Sequence, residues 1–176
     1  MIPGILTPSG NLGALTPHQV VVNPIAGEAI AKGDLVRFDL GDTVAATDYT
    51  TLLDFDNKKN PFNVVIKNPT TAADGGIWGI ALEAGVSGSR FKVCIGGLVE
   101  ATVFATANNI TALGAVLAPD TAAAGRLTQQ GTGVVGLGLW MGVVANPLAG
   151  AGSITASASA TSYVLFNGFV FGSSAA

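Results

Sequence analysis

Charge is scarce in this sequence and absent from both of its ends. Asp, Glu, Lys and Arg make up 11% of the 176 residues, whereas about a quarter is usual for a globular domain. All of them lie between Glu28 and Arg126, so residues 1–27 and 127–176 carry none. A free-standing domain normally spreads charge over its whole surface. The uncharged ends therefore predict that other protein covers much of their surface, as in a subunit of an assembly.

Histidine and cysteine are almost missing, which removes most routes to catalysis and metal binding. The single Cys94 excludes an internal disulfide framework and fits a reducing cytoplasm. The single His18 cannot build a zinc site, which takes three or four ligands, and nothing places it beside Cys94 as a catalytic pair. Asp54 and Asp56 could hold a divalent cation, but Lys58 follows closely and a solvated loop is favoured. We predict no catalytic, cofactor or metal site and no enzyme.

Two further binding classes are excluded by pattern and charge. Residues 131–136 read GTGVVG and match the dinucleotide fingerprint literally, but no helix pattern follows and no acid occurs after Asp120 to hold a ribose. The net charge is −3 and no basic patch is present, so a nucleic-acid partner is not expected.

Long hydrophobic runs are also missing. Mean hydropathy is +0.53, yet the longest apolar run, residues 133–145, is shorter than the roughly twenty residues that span a bilayer. Residues 1–15 have no basic region, and Pro3 and Pro8 interrupt any apolar stretch of a signal peptide. Neither a membrane partner nor an export signal is predicted.

What the sequence does contain is glycine, 24 residues in all, between short segments rich in Val, Ile and Thr. Short strands separated by glycine turns at about ten-residue spacing predict an all-β fold, a small β-barrel or a sandwich. The only plausible helix covers residues 106–113, and residues 154–160 and 163–171 are expected to form a closing C-terminal hairpin. The predicted strands are residues 20–22, 35–39, 64–66, 77–83, 90–95 and 98–104.

The chain divides into an arm and a domain. Residues 1–19 are rich in proline, with Pro3, Pro8 and Pro17 blocking helix and ladder pairing. We interpret them as an extended N-terminal arm that lies along a neighbouring subunit; a frayed terminus is the alternative. Residues 20–176 form the predicted β-barrel domain.

Three short motifs recur in the same order within the domain, which predicts a duplicated β unit. Coincidence in a chain rich in Gly and Val is the alternative. The paired motifs are Ile30, Gly33, Val36 and Asp39 with Ile110, Gly114, Leu117 and Asp120; residues 78–81 with 141–144; and residues 97–99 with 168–170.

Residues 28–36 (EAIAKGDLV), residues 79–84 (GIALEA) with Gly88, and residues 91–99 (FKVCIGGLV) together resemble one family. They are similar to the small capsid decoration, or cement, proteins of tailed bacteriophages, in which such motifs recur in this order. The similarity covers roughly residues 20–103; the long arm, the polar loop at 54–61 and the uncharged tail depart from the family pattern.

The resemblance implies a tulip-like β-barrel that binds the outer surface of an icosahedral head and stabilises the shell. The implied partners are a major capsid protein of the HK97-type fold and further copies of the chain, usually as a homotrimer. The implied location is the outer capsid surface of a virion, after synthesis in the host cytoplasm. Residues 127–176, with the aromatic stretch 163–171 that includes Phe169, are the expected self-association region.

Two other functions stay open. One is a different self-assembling structural subunit, such as a phage tail-tube or fibre protein or a bacterial surface-layer module. The other is a β-clip module that binds a sugar or another ligand, for which Trp78 and Glu83 are the only nearby candidate residues; Trp78 is the better candidate for a core position.

Overall fold

The computed structural model of the chain describes residues 19–38, 64–67, 76–120, 122–130, 136–145 and 152–170. Eleven strands and no helix occur in these ranges, which confirms the all-β prediction. The strands are β1 (Val20–Val22), β2 (Ile25–Ala26), β3 (Leu35–Phe38), β4 (Val64–Lys67), β5 (Gly76–Ala81), β6 (Val93–Ala105), β7 (Val116–Pro119), β8 (Leu127–Gln129), β9 (Gly138–Val143), β10 (Ala158–Asn167) and β11 (Phe169–Val170).

Five strands close into a barrel, in the order β6-β8-β7-β9-β10, because β10 also pairs with β6. The pairing of β6 with β8 is parallel and the other four are antiparallel. Closure leaves no edge strand within the ring, and an unpaired edge is where a sheet adds further strands. The predicted small β-barrel is thus confirmed.

The strands that come earlier in the chain follow the same order of pairing. β2 pairs in parallel with β4, β4 with β3, β3 with β5 and β5 with the start of β6, the last three antiparallel. In addition, β6 pairs with β1, which leads into β2 through Asn23 and Pro24. We call β1 to β5 with residues 93–96 the first unit. Residues 97–105 with β7 to β10 are the second unit, so β6 belongs to both.

The two units repeat the same hydrogen bonds. Gly33 N donates to Ala81 O at 2.8 Å, and Gly114 N donates to Trp140 O at 2.8 Å. Gly33 and Gly114 have φ of 86° and 80°, which glycine adopts without the strain of a side chain. Three further pairs of bonds match: Ala81 N to Asp34 O with Trp140 N to Ala115 O, Ile30 N to Gly85 O with Ile110 N to Ile154 O, and Ser89 N to Val86 O with Ala158 N to Thr155 O.

The same repeat is visible in the packing of two strand glycines. A Cβ added to Gly79 would lie 2.2 Å from Val93 Cγ1, and one added to Gly138 would lie 2.8 Å from Val164 Cγ1. Both distances are too short for a contact between carbon atoms. At each of these strand pairs, the close packing of the valine therefore requires glycine on the neighbouring strand. The units are therefore a structural repeat, whereas duplication of the sequence stays a prediction.

The register aligns the sequence motifs differently from the prediction at one place. Ile30 and Gly33 align with Ile110 and Gly114, as expected. Residues 78–81 align with 137–140, because Ala81 and Trp140 make matching bonds, and not with 141–144. The motif match at Met141 was therefore misaligned by the repeated Gly-hydrophobic pattern of β9.

Each unit has its own core. Ala26, Val36, Phe38, Phe91 and Val93 belong to the cluster inside the first unit. The larger cluster fills the second unit and includes residues of the first unit that point away from its interior. Those residues are Leu35, Trp78, Ile80 and Cys94. The two units therefore pack against each other through an outer face of the first.

Backbone contacts join the units along this boundary. Thr102 N donates to Gly33 O at 2.9 Å, and Leu35 N donates to Gly125 O at 2.8 Å. Near the end of the chain, β11 leaves the second unit and pairs with β5 of the first. Gly168 is the single residue between β10 and β11. Its N–H donates to Ile95 O, and its carbonyl accepts from Trp78 N.

Three sequence expectations differ from the structure. The C-terminal hairpin is wrong, because β10 is one continuous strand in which Ser162 is buried in line with Val164 and Phe166. The helix over 106–113 is wrong, because Ile110 instead forms a bridge with Ile154. The strands expected at 90–95 and 98–104 are one strand, β6, in which Gly97 adopts a φ of 109°.

Candidate interaction surface

The residues considered for chemistry occupy structural positions wherever the structure describes them. Cys94 is fully buried in β6, and its thiol donates to Gly96 O at 3.2 Å. Burial raises the pKa of the Cys94 thiol, opposed by the weaker effect of that hydrogen bond. A thiol that stays protonated is a poor nucleophile. His18, Asp54, Asp56 and residues 131–135 lie outside the described residues.

The ligand-binding candidates Trp78 and Glu83 are both committed to the fold. Trp78 is 2% exposed and belongs to the larger core cluster. Glu83 Oε1 accepts a hydrogen bond from Lys92 N at 3.0 Å, across the turn between β5 and β6. The pair therefore presents no aromatic face beside an acid, the arrangement that a sugar site requires.

No metal site and no membrane-spanning helix occur in the part of the chain that the structure describes. No three His, Cys, Asp or Glu side chains cluster there in a way that could hold a metal ion. The same residues include no helix of the length and hydropathy needed to cross a bilayer.

Among the described residues, the most deeply buried charged side chain has a structural role. Asp120 is 2% exposed and pairs with the Nε of Arg126, while its Oδ1 accepts from Ala122 N at 2.8 Å. The Arg126 guanidinium lies 3.8 Å from the centroid of the Phe104 ring. The pair closes the connection between β7 and β8. By contrast, the solvent-exposed ion pair of Lys32 and Glu100 contributes little to the stability of the fold.

An apolar surface remains on the outside of the second unit. Val116 of β7 faces Leu139 of β9, and Leu139 in turn faces Leu165 of β10. Their side chains are 39%, 37% and 45% exposed. We call these three residues the open row. Leu98, the β6 partner of Leu165, continues the line on the next strand and is half-buried.

The open row borders a shallow groove of about 290 Å³. This volume is at the lower limit of small-molecule sites, and the groove opens to one side instead of enclosing a ligand. Its lining carries no ionisable group that would orient a small molecule. The lining residues are Val116, Gly136, Leu137, Gly138, Leu139, Leu165, Phe166 and Asn167. A flat apolar surface of this kind suits contact with protein.

The strands that carry the open row contain no charge. β7, β8, β9 and β10 have no Asp, Glu, Lys or Arg. On β6, Glu100 faces Tyr163, two residues before Leu165, and is paired with Lys32. Two more apolar side chains are exposed nearby in the sequence: Met141, on the same strand as Leu139, is 44% exposed, and Leu113, before β7, is 59% exposed. The uncharged C-terminal sequence therefore has a structural counterpart in a group of neighbouring strands without charge.

The sequence located this region but not its residues. The aromatic stretch 163–171 was expected to be exposed, yet Phe166 is buried in the core and Tyr163 is half-buried. The exposed side chains are aliphatic, and the alternation of Leu139 and Met141 with glycine and tryptophan in β9 was the available signal. Comparison of the chain with protein-family models and with curated proteins finds no match.

Proposed function

We propose that this protein is a structural virion subunit that binds the outer surface of an icosahedral phage head and stabilises the shell. Its partners would be a major capsid protein of the HK97-type fold and further copies of itself, arranged as a homotrimer. In this role the protein performs no chemistry; it contributes contact area between shell subunits.

The observation that carries the proposal is the open row on its uncharged strands. Three aliphatic side chains, each more than a third exposed, stand side by side on strands without a charge. Apolar surface stabilises a contact by about 25 cal/mol per Å² removed from water. Such a surface is costly on a monomer in water and favourable at a contact between proteins.

The motifs behind the family resemblance support the proposal through their positions. Lys32, Gly33 and Asp34 form the turn before β3, where Asp34 Oδ2 accepts a hydrogen bond from Ala31 N at 2.9 Å. Gly88 has a φ of 81° in the turn before β6. These residues shape turns of a barrel unit, which is the use that decoration proteins of the tulip type would make of them.

The proposal predicts binding to shells that depends little on salt. Purified protein would be mixed with expanded shells that lack it, and occupancy measured by sedimentation from low to high ionic strength. Because apolar contacts are not screened, occupancy at about 1 M salt should stay within about twofold of that at low salt. Heat resistance of the shells should rise with occupancy.

One result would move the contact to another surface, and two others would contradict this function. Binding that disappears at moderate salt would assign the contact to the charged residues between 28 and 126. An absence of binding at every salt, together with growth of the protein into tubes or fibres, would favour the tail-tube or fibre subunit. Binding of a saccharide without any shell binding would favour the β-clip module.

A further inference from the structure

The structural repeat gives the open row a counterpart in the first unit. Leu35 of β3 faces Ile80 of β5, and Ile80 faces Cys94 of β6. This is the arrangement of Val116, Leu139 and Leu165 on β7, β9 and β10. We call Leu35, Ile80 and Cys94 the covered row, because all three are 0% exposed.

The alignment of the two rows follows from backbone hydrogen bonds and does not depend on sequence similarity. Ala81 N bonds to Asp34 O and Trp140 N bonds to Ala115 O, so the residues next to them correspond. Leu35 follows Asp34 as Val116 follows Ala115. The third positions correspond because Cys94 and Leu165 are the partners of Ile80 and Leu139.

The two rows differ in what lies against them. The covered row belongs to the same cluster as Leu117, Trp140 and Val164, which are core residues of the second unit. Beside it, a Cβ on Gly33 would meet Thr102 Oγ1 at 3.3 Å, whereas a Cβ on the equivalent Gly114 would meet no atom within 4 Å. One copy of this face is thus used inside the chain, and the other is left uncovered by the described residues.

We propose that a second copy of this chain covers the open row. The row is aliphatic and uncharged, so its partner must offer apolar surface without charge to desolvate. In the first unit this face is already buried against the second unit of the same chain. The corresponding face of the second unit therefore suits a unit of the same kind from another copy. Assembly of the copies would extend between chains the packing that joins the units within one chain.

The inference deepens the proposed function, on which it rests only for the number of copies: the open row joins the copies, and other surface of the assembled copies is left for the shell. It fails independently, since it concerns the protein in solution without any shell. A protein that associates through the open row but ignores shells would refute the decoration role alone. A monomer in solution that nevertheless stabilises shells would refute the present inference alone.

The first test is mass in solution. Wild-type protein at micromolar concentration should sediment as a multiple of 17.5 kDa. Leu139→Asp and Leu165→Asp should reduce the mass to that of one chain, because each would bury a charge without a partner. Val86→Asp is the matched control: Val86 is 69% exposed on a turn of the first unit, and this variant should keep the wild-type mass.

The second test does not depend on tolerating a charge. Leu165→Cys in a Cys94→Ala background gives a single thiol on the open row, and Val86→Cys in that background gives one elsewhere. At concentrations where the protein associates, the Leu165 thiol should react with a maleimide at least about tenfold more slowly than after dilution to monomer, by mass action. The Val86 thiol should react equally at both concentrations.

Three results would overturn the inference: a wild-type monomer at every concentration, Asp variants that fold cooperatively and keep the wild-type mass, or a Leu165 thiol equally reactive at both concentrations. A Leu165 thiol protected even in the monomer and exposed by deletion of residues 1–18 would assign the row to the N-terminal arm, and would overturn it also.

Discussion

The covered row and the open row occupy the same place in two units of one chain, yet one is fully buried and the other is more than a third exposed. Their side chains differ little in kind: Leu35, Ile80 and Cys94 against Val116, Leu139 and Leu165. The difference lies in the neighbours. The second unit covers the first, and nothing within the described residues covers the second in the same way.

This comparison shows that the exposure of an apolar side chain depends on whether another unit packs against its strand, as well as on its position in that strand. In repeat proteins each unit buries one face against its neighbour. Here the second unit leaves exposed, among the described residues, the face that the first unit buries. That difference is what points to a further partner.

The largest effect is expected from breaking the joint between the two units. A Cβ on Gly168 would lie 2.0 Å from Trp78 O and 2.9 Å from Ile95 O. Gly168→Ala should therefore lower the free energy of unfolding by about 3 kcal/mol, as backbone atoms must shift. Gly96→Ala is the control, since its Cβ would meet only Val20 Cγ2 at 3.9 Å, and it should change stability by less than about 1 kcal/mol. Urea denaturation measures both; equal effects would contradict the role of Gly168.

A smaller effect tests the burial of the covered row. Burial raises the pKa of Cys94, so above about pH 8.5 the unfolded chain loses this proton while the folded chain keeps it. The folded state then binds more protons, and stability falls as pH rises towards the folded pKa. The stability difference between wild type and Cys94→Ala should shift against wild type by up to about 1.4 kcal/mol per pH unit.

Subtraction removes the titration of Lys and Tyr, which both proteins share. A difference that is constant from pH 8 to pH 10 would show that Cys94 titrates alike in the folded and unfolded states. As a second measurement, the native thiol should resist a maleimide until urea separates the units.

The smallest effect sharpens the repeat itself. Gly88 and Ser157 occupy equivalent turns, with φ of 81° and 63°, and Ser157 is the only non-glycine residue with positive φ in the described chain. This conformation costs a residue with a side chain about 1–2 kcal/mol. Glycine avoids that strain, but it loses more backbone entropy on folding, which offsets part of the gain. Ser157→Gly should therefore stabilise the protein by up to about 1 kcal/mol, while Gly88→Ser should destabilise it by a similar amount. Thermal denaturation that ranks the two variants in the opposite order would refute the equivalence of the turns.

Local pattern predicted much of the fold. Partial alternation at β3 and the short apolar segments of β4 and β5 marked strands, and turn residues such as Gly33 marked their ends. The errors came where a polar sequence forms a paired, buried strand. Ser162 was interpreted as part of a turn because its neighbours are small and polar. It is instead buried in β10, which pairs with β6 on one side and β9 on the other.

The open row lay beyond local pattern for a different reason. Leu139 and Ile80 have similar sequence surroundings, and only the packing of one unit on the other separates their exposures. Parallel pairs such as β6 with β8 join strands whose partners no turn specifies. A sequence can therefore indicate that a face is apolar without showing which protein covers it.

The return of β11 to β5 has a consequence for synthesis. A ribosome delivers the first unit long before Gly168, yet Trp78 N finds its hydrogen-bond partner only in the carbonyl of Gly168. Shared strand β6 likewise serves both units. A nascent chain therefore cannot complete the first unit as a finished domain while the second is still being made. Native pairing is completed only once translation has passed β11, so the complete fold is restricted to chains that have been made through to this strand.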